Sequence, residues 1–133
     1  MRHCIAAAFI LIFVWGTNAS AVSLESYNLT DPEGVVTAYF QCLSEGDIGS
    51  LTSLIGGNLL ERKKRMLSNV DHYSTFLRNH YKNSQLLSIS QNQIEDNKVR
   101  VVMEVLKQDG VASFVLILSK IDNLWIITDD ITH

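Results

Sequence analysis

The sequence predicts an α+β domain in which N-terminal helices pack in the concave face of a curved antiparallel sheet. Three observations predict it. Between Asp31 and Tyr81 the apolar residues recur at helical spacing, and from Leu87 onward the period drops to two, as in strands with one buried face. The pairs Asp109-Gly110 and Asp122-Asn123 then divide the second half into segments joined by tight turns. Helices first and long hairpin-linked strands afterwards argue for a sheet curled around helices.

The chain opens with Met1-Arg2-His3-Cys4 and an unbroken apolar run from Ile5 to Trp15. A short basic start followed by such a run is the layout of an export signal. Crossing a bilayer as a helix takes roughly 20 residues, more than this run supplies. Ala19-Ser20-Ala21 offers the small residues that a signal peptidase accepts, so cleavage after Ala21 is expected. The domain boundaries are therefore 1–21 for a cleaved signal peptide and 22–133 for one domain, periplasmic or secreted, with no stable membrane span after cleavage. Cys4 precedes the apolar run and is misplaced for a lipoprotein cysteine.

Residues 22–30 read as a polar lead-in without a sustained period. Asp31-Pro32-Glu33 is a helix start, with an N-cap carboxylate, proline at the first helical position and an acid in the first turn. Val35, Val36, Tyr39, Phe40 and Leu43 mark its buried face, and Glu45-Gly46-Asp47 stops it. Asp47 can cap a second, short helix carrying Leu51, Leu54 and Ile55, which Gly56-Gly57 ends. Asn58 is the expected start of a third segment, LLERKKRML, whose consecutive Arg62-Lys63-Lys64-Arg65 read as a solvated surface. Asp71 is the expected cap of a fourth helix in which Tyr73, Phe76, Leu77, His80 and Tyr81 form one stripe, with His80 in its middle.

Leu87 and Ile89 alternate with polar residues in the first strand. After the turn-like Glu95-Asp96-Asn97, Val99, Val101, Met103 and Val105 are the core parity of the next, leaving Arg100 and Glu104 toward solvent. The last two strands run from Ala112 to Lys120 and from Leu124 to Thr128. Val115 and Ile117 stand opposite Phe114, Leu116 and Leu118, so this strand is apolar on both faces. A sheet apolar on both faces has something covering its second side, which makes Val115 and Ile117 interface candidates and points to a homodimer through the sheet face.

The 133 residues carry a formal charge of −3, and loss of Arg2 leaves −4. An acidic domain gains nothing from phosphate attraction, so nucleic acid is not expected as a partner. Cys42 is the only cysteine left after cleavage, and it falls at the edge of the first helix's apolar stripe, where it reads as a small buried hydrophobe. Without a disulfide the core must hold by packing. His72, His80 and His133 do not form a metal signature, and neither a phosphate loop nor a nucleophile elbow is present; no metal and no cofactor are expected.

Two stretches carry a resemblance. Val35-Val36-x-x-Tyr39-Phe40-x-x-Leu43-x-x-Gly46-Asp47-x-x-x-Leu51-x-x-Leu54 resembles the opening of nuclear-transport-factor-2-like (NTF2-like) domains, the cystatin-like cone. Leu118-x-Lys120-Ile121-Asp122-Asn123-x-Trp125-x-Ile127-Thr128-Asp129 resembles their final hairpin. The likeness spans roughly residues 32–130. It implies a conical pocket between sheet and first helix, with Tyr39 where isomerase members can have a pocket tyrosine. Where such enzymes continue into a strand bearing their base, this chain has Gly56-Gly57-Asn58 and LLERKKRML, and no carboxylate matches that base. The pattern is closer to the exported branch of unknown function.

Tyr39, His80, Tyr81 and Met103 are accordingly the candidate pocket residues, although each also fits a packing role. The leading expectation is a non-enzymatic exported domain holding a small apolar ligand in its cone or a protein partner on its sheet. The alternatives are an isomerase-like or cyclase-like enzyme using His80 and Tyr39, and a periplasmic assembly or immunity protein.

Overall fold

The structure is a computed structural model, and it describes residues 21–131. Apart from Ala21, the expected signal peptide with Cys4 lies outside the described residues, as does His133. Among the described residues no helix is long and apolar enough to cross a membrane.

Four helices precede a four-stranded antiparallel sheet. Helix α1, Pro32–Glu45, starts where Asp31 accepts the Glu33 N–H, and it ends at Gly46 in the left-handed region, φ 69°. A side chain at Gly46 would also stand 2.7 Å from the Ser74 carbonyl oxygen, so two constraints select glycine there. Asp47 caps α2, Ile48–Leu54, through the Ser50 N–H. The chain then turns extended at Ile55, which bridges Ile127 in parallel, and the Gly56 N–H donates to the Ile127 carbonyl at 2.9 Å. Helix α3 is Gly57–Leu67, starting one residue before the expected Asn58.

Helix α4, Val70–His80, is capped by Asn69, whose side chain accepts the His72 N–H, and not by the expected Asp71. Asp71 lies instead in the first turn, where its charge complements the helix dipole. The lead-in is more ordered than its polarity suggested. It forms a 3-10 turn at Leu24–Ser26, Val22 is buried, Leu24, Tyr27 and Leu29 pack against the core, and the Leu29 carbonyl accepts the Trp125 N–H at 3.2 Å.

Strands β1 (Gln85–Glu95), β2 (Lys98–Lys107), β3 (Gly110–Ile121) and β4 (Leu124–Ile131) pair in sequence order. Asp122 and Asn123 both take positive φ, the backbone of a type I′ hairpin. The inner face, against the helices, is built from Val99, Val101, Met103 and Val105 facing Leu118, Leu116, Phe114 and Ala112 in register. Two of the three irregularities in the pairing redirect core side chains. One lies between Leu86 and Ser88, so Leu86 and Ile89 pack on the core while Leu87, expected to alternate inward, is exposed. The other sets Ile117 opposite Asp129 but Leu118 opposite Ile127, leaving Thr128 as an extra residue on β4.

The outer face is also apolar in its centre. Val102 pairs with Val115 and Val115 with Ile131, while Leu106 pairs with Val111 toward one end. Val102, Val115 and Ile117 are half-buried, and Leu106, Val111 and Ile131 are exposed.

Gly34, in the first turn of α1, lies under the lead-in: a Cβ there would stand 2.0 Å from the Asn28 carbonyl oxygen, which is backbone and cannot swing aside. Gly34→Ala should therefore cost about 1–3 kcal/mol of unfolding free energy, the usual range for overpacking. Urea denaturation checks this, and an unchanged midpoint would show that the lead-in does not press on α1.

Candidate functional site

A cavity of about 200 Å³ opens where α1, α3 and α4 diverge above the sheet. Each element supplies its lining through its own periodicity. Tyr39 and Leu43, one turn apart on α1, form one wall. Tyr73, Leu77 and Tyr81 repeat at four-residue spacing along α4 and its C-cap and form the second, and all three are buried. Phe114 and Leu116 of β3 make the floor, with Asp130 of β4 beside Leu116 in register. Lys63 and Met66 of α3, with Phe76 and His80, complete the rim.

Three phenols meet one carboxylate inside. Burial, followed by Tyr73, Tyr81 and Asp130, pushes the Tyr39 hydroxyl far above the ordinary phenol range. The Tyr81 hydroxyl is pushed up to about 12, again by burial first and then by Tyr73 and Asp130. Both stay protonated at any physiological pH and serve as hydrogen-bonding groups, not as bases. Asp130 is held by Arg62, whose guanidinium spans to the Asp129 carboxylate at 2.6 Å and the Asp130 carboxylate at 2.5 Å. The Arg62 fork thus fixes α3 across the end of β4 and neutralises the carboxylate at the cavity wall.

The four consecutive charges of α3, expected as one solvated patch, have separate places. Arg62 takes the two aspartates, and Lys64 pairs with Glu61 at 2.9 Å. Lys63 lines the cavity with its ammonium 5.8 Å from the centre of the Tyr73 ring, and Arg65 lines an adjoining groove. Lys63 makes no ion pair among the described residues.

His80 lines the cavity, but at an exposed rim and not in the middle of a buried stripe. The stripe is narrower than the spacing suggested, because Phe76 and His80 lie on its solvent margin, where their rings stack 5.4 Å apart. His80 Nε2 is 2.7 Å from the Lys107 ammonium, and no hydrogen bond joins it to Tyr39 among the described residues. Met103 stands beside Phe114 on the same inner face of the sheet, but it is fully buried and does not line the cavity. Tyr39 and Tyr81 are both in the lining. Among the described residues no group of His, Cys, Asp and Glu could hold a metal ion.

No protein family model matches the sequence, and no curated protein does either. Solved structures do match. A Campylobacter jejuni protein described as a candidate NTF2-like transpeptidase shares 19% identity at a TM-score of 0.52, over 74% of this chain and 98% of that one. An NTF2-like protein of unknown function from Shewanella oneidensis shares 16% identity at 0.54, over 72% and 90%. The fold is NTF2-like. Identities this low carry the architecture and leave the chemistry of the NTF2-like cavity to its own residues.

Sequence reasoning missed Asp130, Lys63 and Tyr73 as lining residues of this NTF2-like cavity. Tyr73 was legible as one of the buried stripe. Asp130 was not, because strict alternation after Trp125 and Ile127 turns it outward, and only the extra residue Thr128 restores it to the inner face beside Leu116. Lys63 was hidden among like charges.

His80 offers a local test. Burial first and Lys107 second disfavour its imidazolium, outweighing Asp109. In an NMR titration it should lose its proton below the ordinary imidazole value of about 6.5. Lys107→Met should raise that midpoint, and an unmoved midpoint would mean that the ammonium does not rest against the ring.

Proposed function

We propose that the chain is an exported binding domain that holds a small, ring-sized molecule in the cavity between Tyr39, Tyr73 and Tyr81. The aromatic lining carries this reading. An apolar cavity of about 150 Å³ is enough to take up benzene, so about 200 Å³ suits one substituted ring. Leu43, Leu77, Phe114 and Leu116 would meet its apolar body, and the phenol hydroxyls its polar substituents. Lys63 favours a substituent with negative charge, since Arg62 already answers Asp130.

Binding is favoured over catalysis on the same residues. The phenols are poor bases, and His80 is engaged by Lys107 at the rim. Acyl transfer of the kind named for the Campylobacter protein needs a nucleophile. The lining holds neither serine nor cysteine, and burial, with Asp47 and Glu45, pushes the Cys42 thiol up to about 12.

Benzoate, a ring with one negative group, is a suitable probe. Added to the labelled protein, it should shift amide resonances around Tyr39, Leu77 and Phe114 more strongly than benzylamine does. Leu77→Trp, which fills the cavity, should abolish the shifts. If neither compound perturbs these residues, the cavity is not a binding site for such molecules.

A second reading concerns the outer sheet face, where Val102, Val115 and Ile117 form an apolar centre flanked by exposed Val111 and Ile131. A second copy of the chain laid on this face would cover it. Sedimentation should then show a dimer that Ile117→Lys converts to a monomer, whereas a monomer at high concentration for the unaltered chain would dismiss the dimer.

A further inference from the structure

We infer that cleavage after Ala21 creates a terminal ammonium on Val22 that docks on Asp47 as an ion pair, so that processing completes the junction between α1 and α2. The inference uses only the export part of the reading above and is independent of any ligand.

Two unrelated observations converge on one peptide bond. The first is the sequence: Ala19-Ser20-Ala21 places the expected cut immediately before Val22. The second is the geometry around Val22. Its side chain is buried with the core, and its backbone nitrogen is 2.7 Å from Asp47 Oδ2. The Val22 carbonyl oxygen in turn accepts the Ser50 hydroxyl at 3.4 Å. A residue of the lead-in is thus seated on a carboxylate 25 positions away.

That carboxylate is suited to a cation. Asp47 Oδ1 accepts the Ser50 N–H at 3.1 Å and Oδ2 the Ser50 hydroxyl at 2.9 Å, which orients the group toward Val22. Burial raises its proton affinity, but the bonds from Val22 and Ser50 outweigh burial and hold the carboxyl below its ordinary value. The charged and titratable neighbours leave the seat open. Cys42 carries a neutral thiol, Glu45 accepts from the Gln41 amide at 2.6 Å, and Arg78, which approaches Gly46 from α4, bonds Ser74 and Thr75. No lysine or arginine pairs with Asp47 among the described residues.

In the uncut chain Val22 offers one neutral amide N–H. Hydrolysis of the Ala21–Val22 bond takes up one water, leaves a carboxylate on Ala21 and turns the Val22 nitrogen into an ammonium with three N–H donors. The 2.7 Å bond is already charge-assisted from the carboxylate side, and the ammonium adds a full positive charge on the donor side. The gain falls at a sensitive place. Ser74 of α4 donates to the Gly46 carbonyl at 2.6 Å, so the junction ties together α1 and α4, the two helices that form the tyrosine walls of the cavity.

The sign of the pH dependence follows. An amine partnered by a carboxylate has a folded pKa above its ordinary value of about 7.7–8.0. Its stabilisation is complete below that value and is lost as pH rises through the folded pKa. The test uses the full chain, expressed and exported in a bacterial host. Intact mass should show a product beginning at Val22, with a Tm that falls as pH is raised through the alkaline range. Asp47→Asn keeps the α2 cap, because asparagine caps as well as aspartate; it should lower Tm at neutral pH and remove the alkaline fall. A serine inserted between Ala21 and Val22 moves the new amine one residue away without altering the folded core, and it should do the same. A product beginning elsewhere overturns both export at this site and the ion pair. A product beginning at Val22 whose Tm and pH profile are untouched by both changes overturns the ion pair alone.

Discussion

The structure depends on the burial of α1 against the inner face of the sheet. Val35, Val36, Ala38 and Cys42 have no exposed surface, and neither do Val101, Met103, Val105, Leu118 and Ile127 on the strands. Each fully buried valine, leucine, isoleucine or methionine among them contributes about 1.5–3 kcal/mol by leaving water. No disulfide among the described residues assists. Every other element is arranged by this contact: α2 turns the chain back, α3 packs on β4, and α4 packs along α1 with its end reaching Phe114 and Lys107 of the sheet.

The cavity is a by-product of the same contact. The space left between α1, α3 and α4 is lined by the large side chains that face it, and tyrosine suits such a place because its ring buries while its hydroxyl stays polar. The pocket's polarity then comes from the end of β4, where Asp130 would be an unpaired carboxylate without Arg62. One bulge therefore sets both the register of the last strand and the electrostatics of the cavity.

The lead-in has a comparable double part. Val22, Leu24, Tyr27 and Leu29 close the core from the side that the sheet leaves open, and Asn28 presses on Gly34 so closely that only glycine fits. A segment with no hydrophobic period is ordered because single residues find single sockets. Such ordering arises from tertiary contact and leaves no repeat for a periodicity reading to find.

By itself the sequence determined the α+β class, the order of helices before hairpin-linked strands, the buried face of α1, the hairpin at Asp122-Asn123, and the resemblance that led to an NTF2-like fold. These are local properties, set by capping, turn conformation and the spacing of apolar residues along one element. It also placed Tyr39 and Tyr81 among the pocket candidates, because large residues on a buried helix face must point into whatever that face encloses. Tertiary structure alone decided the rest. His80 went to the rim because the stripe of α4 is only as wide as the neighbouring elements allow, and Met103 is covered because the cavity opens over β3 and β4, not over its own strand. Leu87 went outward and Asp130 inward because a single extra residue in a strand reverses the parity of everything after it, and that residue is placed by pairing with another strand, not by its own neighbours in sequence.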